Sequence, residues 1–102
     1  VKVLTVVDEN GTTWAVPVEI IARSRATHYA HEFDGDVERS MAEDTMPLFD
    51  SDDYEVEDWA ANNMNWSDVA EHAFRLSGPG QPDMQEAWIN GPKEVRDVER
   101  HP

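Results

Sequence analysis

Two rhythms run through the apolar positions of this chain. Residues 2–7, KVLTVV, are rich in β-branched side chains and alternate loosely, which predicts a strand. Asp8-Glu9-Asn10-Gly11 follows, and Asn-Gly is a strong hairpin signal because both residues accept positive φ. Thr12–Val16 is the expected return strand. From Pro17 the period lengthens to that of a helix. Val18, Ala22, Ala26 (or the stem of Arg25), Tyr29 and Phe33 fall on one face with Ile21 beside them, while Arg23 and Arg25 lie on the outer side. Asp34-Gly35 ends this helix, with Gly35 as its C-terminal cap.

Asp36 is placed to cap a shorter helix, DVERSMAEDT, with Val37 and Met41 inward, Leu48 following, and Pro47 as the stop. Asp50 or Ser51 then caps SDDYEVEDWAANNM, whose apolar face is Val56, Trp59, Ala60 and Met64 with Tyr54 at its edge. Asn65 or Ser67 caps WSDVAEHA, with Val69 and Ala70 inward. The pattern then returns to strand. His72–Leu76 and Met84–Asn90 both alternate, around turn residues Gly78–Asp83, and read as a second hairpin. The expectation is an α+β fold. One antiparallel sheet of about four strands comes from the N-terminal and C-terminal β-hairpins, and three to four short helices between them pack on one face. Residues 1–95 form one domain, and 96–102 are expected to fray.

Composition sharpens this. Four Trp, three Phe and two Tyr can furnish a core, and the chain has no cysteine, hence no disulfide framework and no thiol chemistry. No apolar run approaches a membrane span, so the expectation is a soluble, cytoplasmic protein.

Charge changes the picture most. The formal net charge is −14. Between Glu32 and Asp58, twelve acidic side chains accompany one basic one, Arg39, for a local net charge of −11. A chain so acidic is repelled by nucleic acid and by anionic membranes and is drawn to basic partners, chiefly proteins that bind nucleic acid. Asp36, Asp50, Asp52 and Asp53 have local work near helix N-termini. Glu38, Glu43, Asp44, Glu55, Glu57 and Asp58 have none that the sequence reveals. The expected partner-binding set is Glu38, Glu43, Asp44, Asp52, Asp53, Glu55, Glu57 and Asp58, together with Trp66, which opens a short helix and is expected to be partly exposed.

The acids do not form a recognisable metal site. An EF-hand frame starting at Asp34 puts Arg39 at the glycine position and Thr45 at the final glutamate, and a frame starting at Asp50 puts Glu55 at the glycine position. His28, His31 and Glu32 share a helix face but not the HExxH order, and read as a helix end where histidines meet carboxylates. No nucleophile elbow and no phosphate-cradling loop is present, so neither an enzyme nor a cofactor is expected.

The runs VPVEIIARSRATHYA, DDYEVEDWAANNMNWSDV and QEAWINGPKEV resemble small acidic proteins encoded by bacteriophages. In size and charge the chain is similar to anti-restriction proteins, anti-CRISPRs and inhibitors of host polymerases. The resemblance implies a non-enzymatic inhibitor whose acidic surface imitates DNA and occupies the basic groove of a host protein, as in a defence complex. The alternative is a small interaction domain, with a homodimer as one form of it, whose sheet or Trp66 patch binds another phage or host protein while the acids only give solubility.

Overall fold

Asp8 fixes the first turn, and the sheet is built out from it. The computed structural model describes residues 1–79 and 84–98. Strand β1 (Lys2–Val7) pairs antiparallel with β2 (Thr13–Pro17), Leu4 opposite Val16 and Val7 opposite Thr13. In the turn, the Gly11 N–H donates to the Asp8 carbonyl at 3.0 Å, and the Asp8 N–H donates to the Thr12 carbonyl at 2.9 Å. Only Gly11 of these residues has positive φ, at 81°. The link is therefore a type I turn closed by a left-handed glycine, not the two-residue form in which Asn10 too would be left-handed.

The Asp8 carboxylate locks this turn. Its Oδ1 accepts from the Asn10 N–H at 2.8 Å and the Thr12 N–H at 3.0 Å, and its Oδ2 accepts from the Trp14 indole at 3.1 Å. Burial raises the pKa of Asp8, but hydrogen bonds from Thr12, Trp14 and Asn10 outweigh it and hold the carboxyl below its ordinary 3.8.

Two more strands flank the hairpin. β3 (Phe74–Ser77) pairs with β2, and β4 (Lys93–Asp97) pairs with β1, so the order is β3-β2-β1-β4 with every neighbour antiparallel. The α+β class and the four-stranded sheet are as expected. The C-terminal hairpin is not. Met84–Asn90 is a helix, and β3 and β4 lie on opposite edges of the sheet. Met84, Ala87 and Trp88 stand at i, i+3 and i+4 and are all buried. Strand spacing would have put Glu86 on the same face as Met84 and Trp88, whereas the helix leaves Glu86 in solvent. β4 likewise runs past Val95 to Asp97, and the Val98 N–H donates to the Val1 carbonyl at 2.7 Å. The start of the expected fraying tail is thus paired. Its alternating charges, which hid it as a strand, suit a sheet edge. Turn residues 80–83 and the tail from 99 onward lie outside the described residues.

The helices pack on the face carrying Leu4, Val6 and Val16. α1 (Val18–Tyr29) tightens into a 3₁₀ turn, Ala30–Phe33, and ends in left-handed Asp34 and Gly35. Asp36 caps α2 (Val37–Ser40) by accepting from the Arg39 N–H at 3.0 Å. Contrary to the expectation from sequence, Pro47 does not stop this helix. A π turn, Met41–Thr45, carries the chain directly into α3 (Met46–Ser51), and the Met46 N–H donates to the carbonyl of Met41, five residues back. Pro47 then sits in the first turn of α3, where its missing N–H costs least. The extra residue of the π turn moves the inward register to Met41, Thr45 and Phe49, so Phe49 fills the core and Leu48 lies at its margin.

Asp50 and Ser51 close α3, and Asp52 is the cap of α4 (Asp53–Asn63), accepting from the Tyr54 N–H at 3.0 Å. Asn65 and Asp68 form a capping box on α5 (Trp66–Val69), where Val69 is buried but Ala70 beyond it is exposed, against expectation. The last helix, α6 (Met84–Asn90), brings Trp88 into the centre, fully buried, its indole donating to the Ala60 carbonyl at 3.0 Å and the Met64 carbonyl at 3.1 Å. Gly91 follows α6 against β1, where a Cβ would lie 2.5 Å from the Val7 carbonyl oxygen.

Two stability changes are expected. Asp8→Ala strands the Thr12 N–H and the indole and costs about 2–4 kcal/mol in urea denaturation. Because the native carboxyl is held below 3.8, its contribution is complete above that pH and is lost as the pH falls through the native value. Asp8→Asn removes that acid-dependent loss. Among the described residues the fully buried Ser40 hydroxyl has no hydrogen-bond partner, so Ser40→Ala leaves stability unchanged or raises it by about 1 kcal/mol.

Candidate functional site

Much of the negative charge between Glu32 and Asp58 is already engaged by the chain itself. Arg23, on α1, donates to Glu38 Oε2 at 2.6 Å and lies 3.6 Å from Glu19. Glu38 and then Glu19 raise the pKa of this exposed guanidinium. Arg25, one turn-face away on the same helix, donates to Asp44 Oδ2 at 2.9 Å and to the Thr45 hydroxyl at 3.0 Å. Arg39 donates from Nε to Glu43 Oε2 at 2.8 Å. Lys2 lies 3.9 Å from Asp50 and 3.8 Å from Asp53. Asp36 and Asp52 accept backbone N–H groups as caps.

These pairs correct the reading that Glu38, Glu43 and Asp44 lack local work. Glu38, Glu43 and Asp44 do have local work: each holds an arginine. Two of those arginines come from α1, which packs against α2 and the π turn on the side of Arg25 and leaves Arg23 exposed at the rim. Arg25 is the most enclosed of the three, with 15% of its side chain exposed.

Three of the expected carboxylates stand apart from this network. Among the described residues no lysine or arginine forms an ion pair with Glu55, Glu57 or Asp58. All three lie on α4, downstream of the cap Asp52 and of Asp53. Glu57 acts only at longer range, opposing the burial that lowers the pKa of Lys93. Lys93 itself points at the end of α6, donating to the carbonyls of Ile89 at 3.1 Å and Gly91 at 3.0 Å. Asp58 Oδ1 accepts from the Asn62 amide at 2.9 Å, which steadies the carboxylate without neutralising it.

Tyr54 stands among these acids, 64% exposed. Sequence placed it at the edge of the apolar face; the core takes Val56 and Ala60 and turns Tyr54 outward. Asp58 follows it one helical turn later, on the same side. The outer face of α4 therefore combines an exposed ring with carboxylates that lack cations of their own.

Trp66 belongs elsewhere. It is half-buried in a line of indoles, 6.1 Å from Trp14 and 5.9 Å from Trp88 between centroids, and its N–H donates to Gln85 Oε1 at 2.8 Å. Trp14 and Trp88 are joined through it. None of these neighbours lies in the acidic stretch. His28 packs its ring 4.8 Å from Tyr29 and 5.5 Å from Trp59, while His31 lies 3.8 Å from Glu32. Among the described residues, no three His, Asp or Glu side chains converge to hold a metal ion.

Arg25→Ala is expected to destabilise the fold by about 2–3 kcal/mol, because it leaves the buried Thr45 hydroxyl and the half-buried Asp44 without their partner. Arg39→Ala, at an exposed pair, costs under about 1 kcal/mol. Chemical denaturation of both variants at low salt checks the difference. Compared with known proteins, the chain matches no family model, no curated protein and no solved structure.

Proposed function

We propose that this protein binds a basic, nucleic-acid-binding surface of another protein through the outer face of α4. The occupied groove is then closed to DNA or RNA, so the protein acts as a non-enzymatic inhibitor. A phage-encoded protein directed at a host defence complex fits this reading. One observation carries it: among the described residues Glu55, Glu57 and Asp58 have no lysine or arginine partner and lie together on one helix, beside the cap Asp52 and beside Asp53, which Lys2 reaches at 3.8 Å. Helical carboxylates at i, i+3 and i+4 stand about 5–6 Å apart. That spacing is comparable to phosphates along one nucleic-acid strand, so a row of Lys and Arg that fits one fits the other.

The engaged acids support the reading indirectly. Were negative charge needed only for solubility, it would be dispersed over the surface. Here the chain uses four of its cations to hold the acidic stretch together and leaves Glu55, Glu57 and Asp58 without one.

Capture of partners from a bacterial lysate at low salt, with stepwise salt elution and mass spectrometry, is the direct test. The expected partner is a basic nucleic-acid-binding protein, with affinity falling at least about tenfold between 50 and 200 mM salt. Replacing Glu55, Glu57 and Asp58 together by Lys is expected to abolish the complex while circular dichroism stays native. A complex indifferent to salt and to this triple reversal overturns the proposal.

A further inference from the structure

The chain seats its own arginines in a recurring way. Arg25 donates to Asp44 at 2.9 Å while its guanidinium carbon lies 4.7 Å from the centre of the Tyr29 ring. Arg39 donates to Glu43 at 2.8 Å while its guanidinium carbon lies 5.6 Å from the centre of the Phe33 ring. In both places a guanidinium rests against an aromatic face and reaches a carboxylate with its in-plane N–H groups. The ring attracts the cation through its quadrupole, and the carboxylate takes the hydrogen bonds.

Tyr54 and Asp58 present the same two components on the outer face of α4. The ring is 64% exposed, the carboxylate lies one helical turn along, and the Asn62 amide holds that carboxylate at 2.9 Å. Among the described residues no cation of this chain stacks on Tyr54; Lys2 lies against Asp50 and Asp53 instead. We infer that Tyr54 and Asp58 receive an arginine side chain of the partner. The inference rests on the reading that α4 binds a basic surface, and it names the residue that anchors it.

Arginine is favoured over lysine by shape. The planar guanidinium lies on a ring and donates in its own plane, and it sheds water more readily than a compact ammonium. Carboxylates alone would attract either cation. The ring thus makes the face selective within the class of basic partners.

The test uses the whole protein and two probes of equal length and charge, an oligo-arginine and an oligo-lysine peptide, titrated calorimetrically at low salt. The wild type is expected to prefer the arginine peptide. Tyr54→Leu, at an exposed position where folding is not at stake, is expected to lower the arginine-to-lysine affinity ratio about two- to fivefold. Tyr54→Phe keeps the ring and is expected to keep the ratio. An unchanged ratio in Tyr54→Leu, with both peptides still binding in a salt-sensitive way, overturns the arginine receptor and leaves the acidic-face reading in place. If neither peptide binds the wild type at low salt, both fall.

Discussion

The guanidinium of Arg25 holds the acidic stretch to the rest of the molecule. It leaves α1, stacks on Tyr29, and reaches Asp44 and Thr45 in the π turn, nineteen and twenty residues further along. The side chains around it carry a local net charge of −11 between Glu32 and Asp58, which by itself drives the helices apart. Arg23 and Arg39 work at the rim of the same contact, where water screens them. Arg25 is the enclosed one, so its pairing is the least screened and its loss the least replaceable. The core beneath, with Met41, Thr45 and Phe49 turned inward, depends on α2 and α3 being held at that distance from α1.

This contact also explains why the acidic residues divide into two groups. Glu38 on α2 and Asp44 in the π turn are consumed in docking onto α1, while Glu43 pairs with Arg39 one turn before it. Beyond Asp53, which Lys2 reaches, those on α4 pair with no lysine or arginine among the described residues. The proposed binding face is therefore a remainder, the part of the charge that folding does not use. Tyr54 belongs to the same remainder, since Val56 and Ala60 already satisfy the core side of the helix.

Local signals were legible in the sequence. Asn-Gly before an alternating run gave the hairpin, Asp36 and Asn65 gave their helix caps, and the spacing of Val56 and Ala60 gave the buried side of α4. Each depends on a few adjacent residues. The misreadings arose where short segments satisfy two periods or where a distant partner decides. Met84–Asn90 is seven residues long, and alternation and helical spacing compete over so short a span. The π turn is set by Pro47 together with the packing of Phe49, which no cap or breaker announces. For the site, the concentration of charge was plain, but its division was not. That Glu38 and Asp44 are spoken for depends on Arg23 and Arg25, fifteen and nineteen residues away. Sequence could have flagged Glu55, Glu57 and Asp58 by a simpler sign: no basic residue stands three or four positions from any of them.

The pairing of β1 with β4 has a consequence in time. Leu4 faces Val95 and Lys2 faces Asp97, so β1 meets its second neighbour only after all the helices between them have been made. Until then one edge of an apolar central strand offers its N–H and C=O groups unpaired, the geometry that invites pairing with other chains. As the protein emerges from the ribosome, its N-terminal hairpin must wait with that edge bare through the synthesis of every helix. The charge of the intervening stretch then serves a second purpose, because nascent copies that repel one another are slow to join along it.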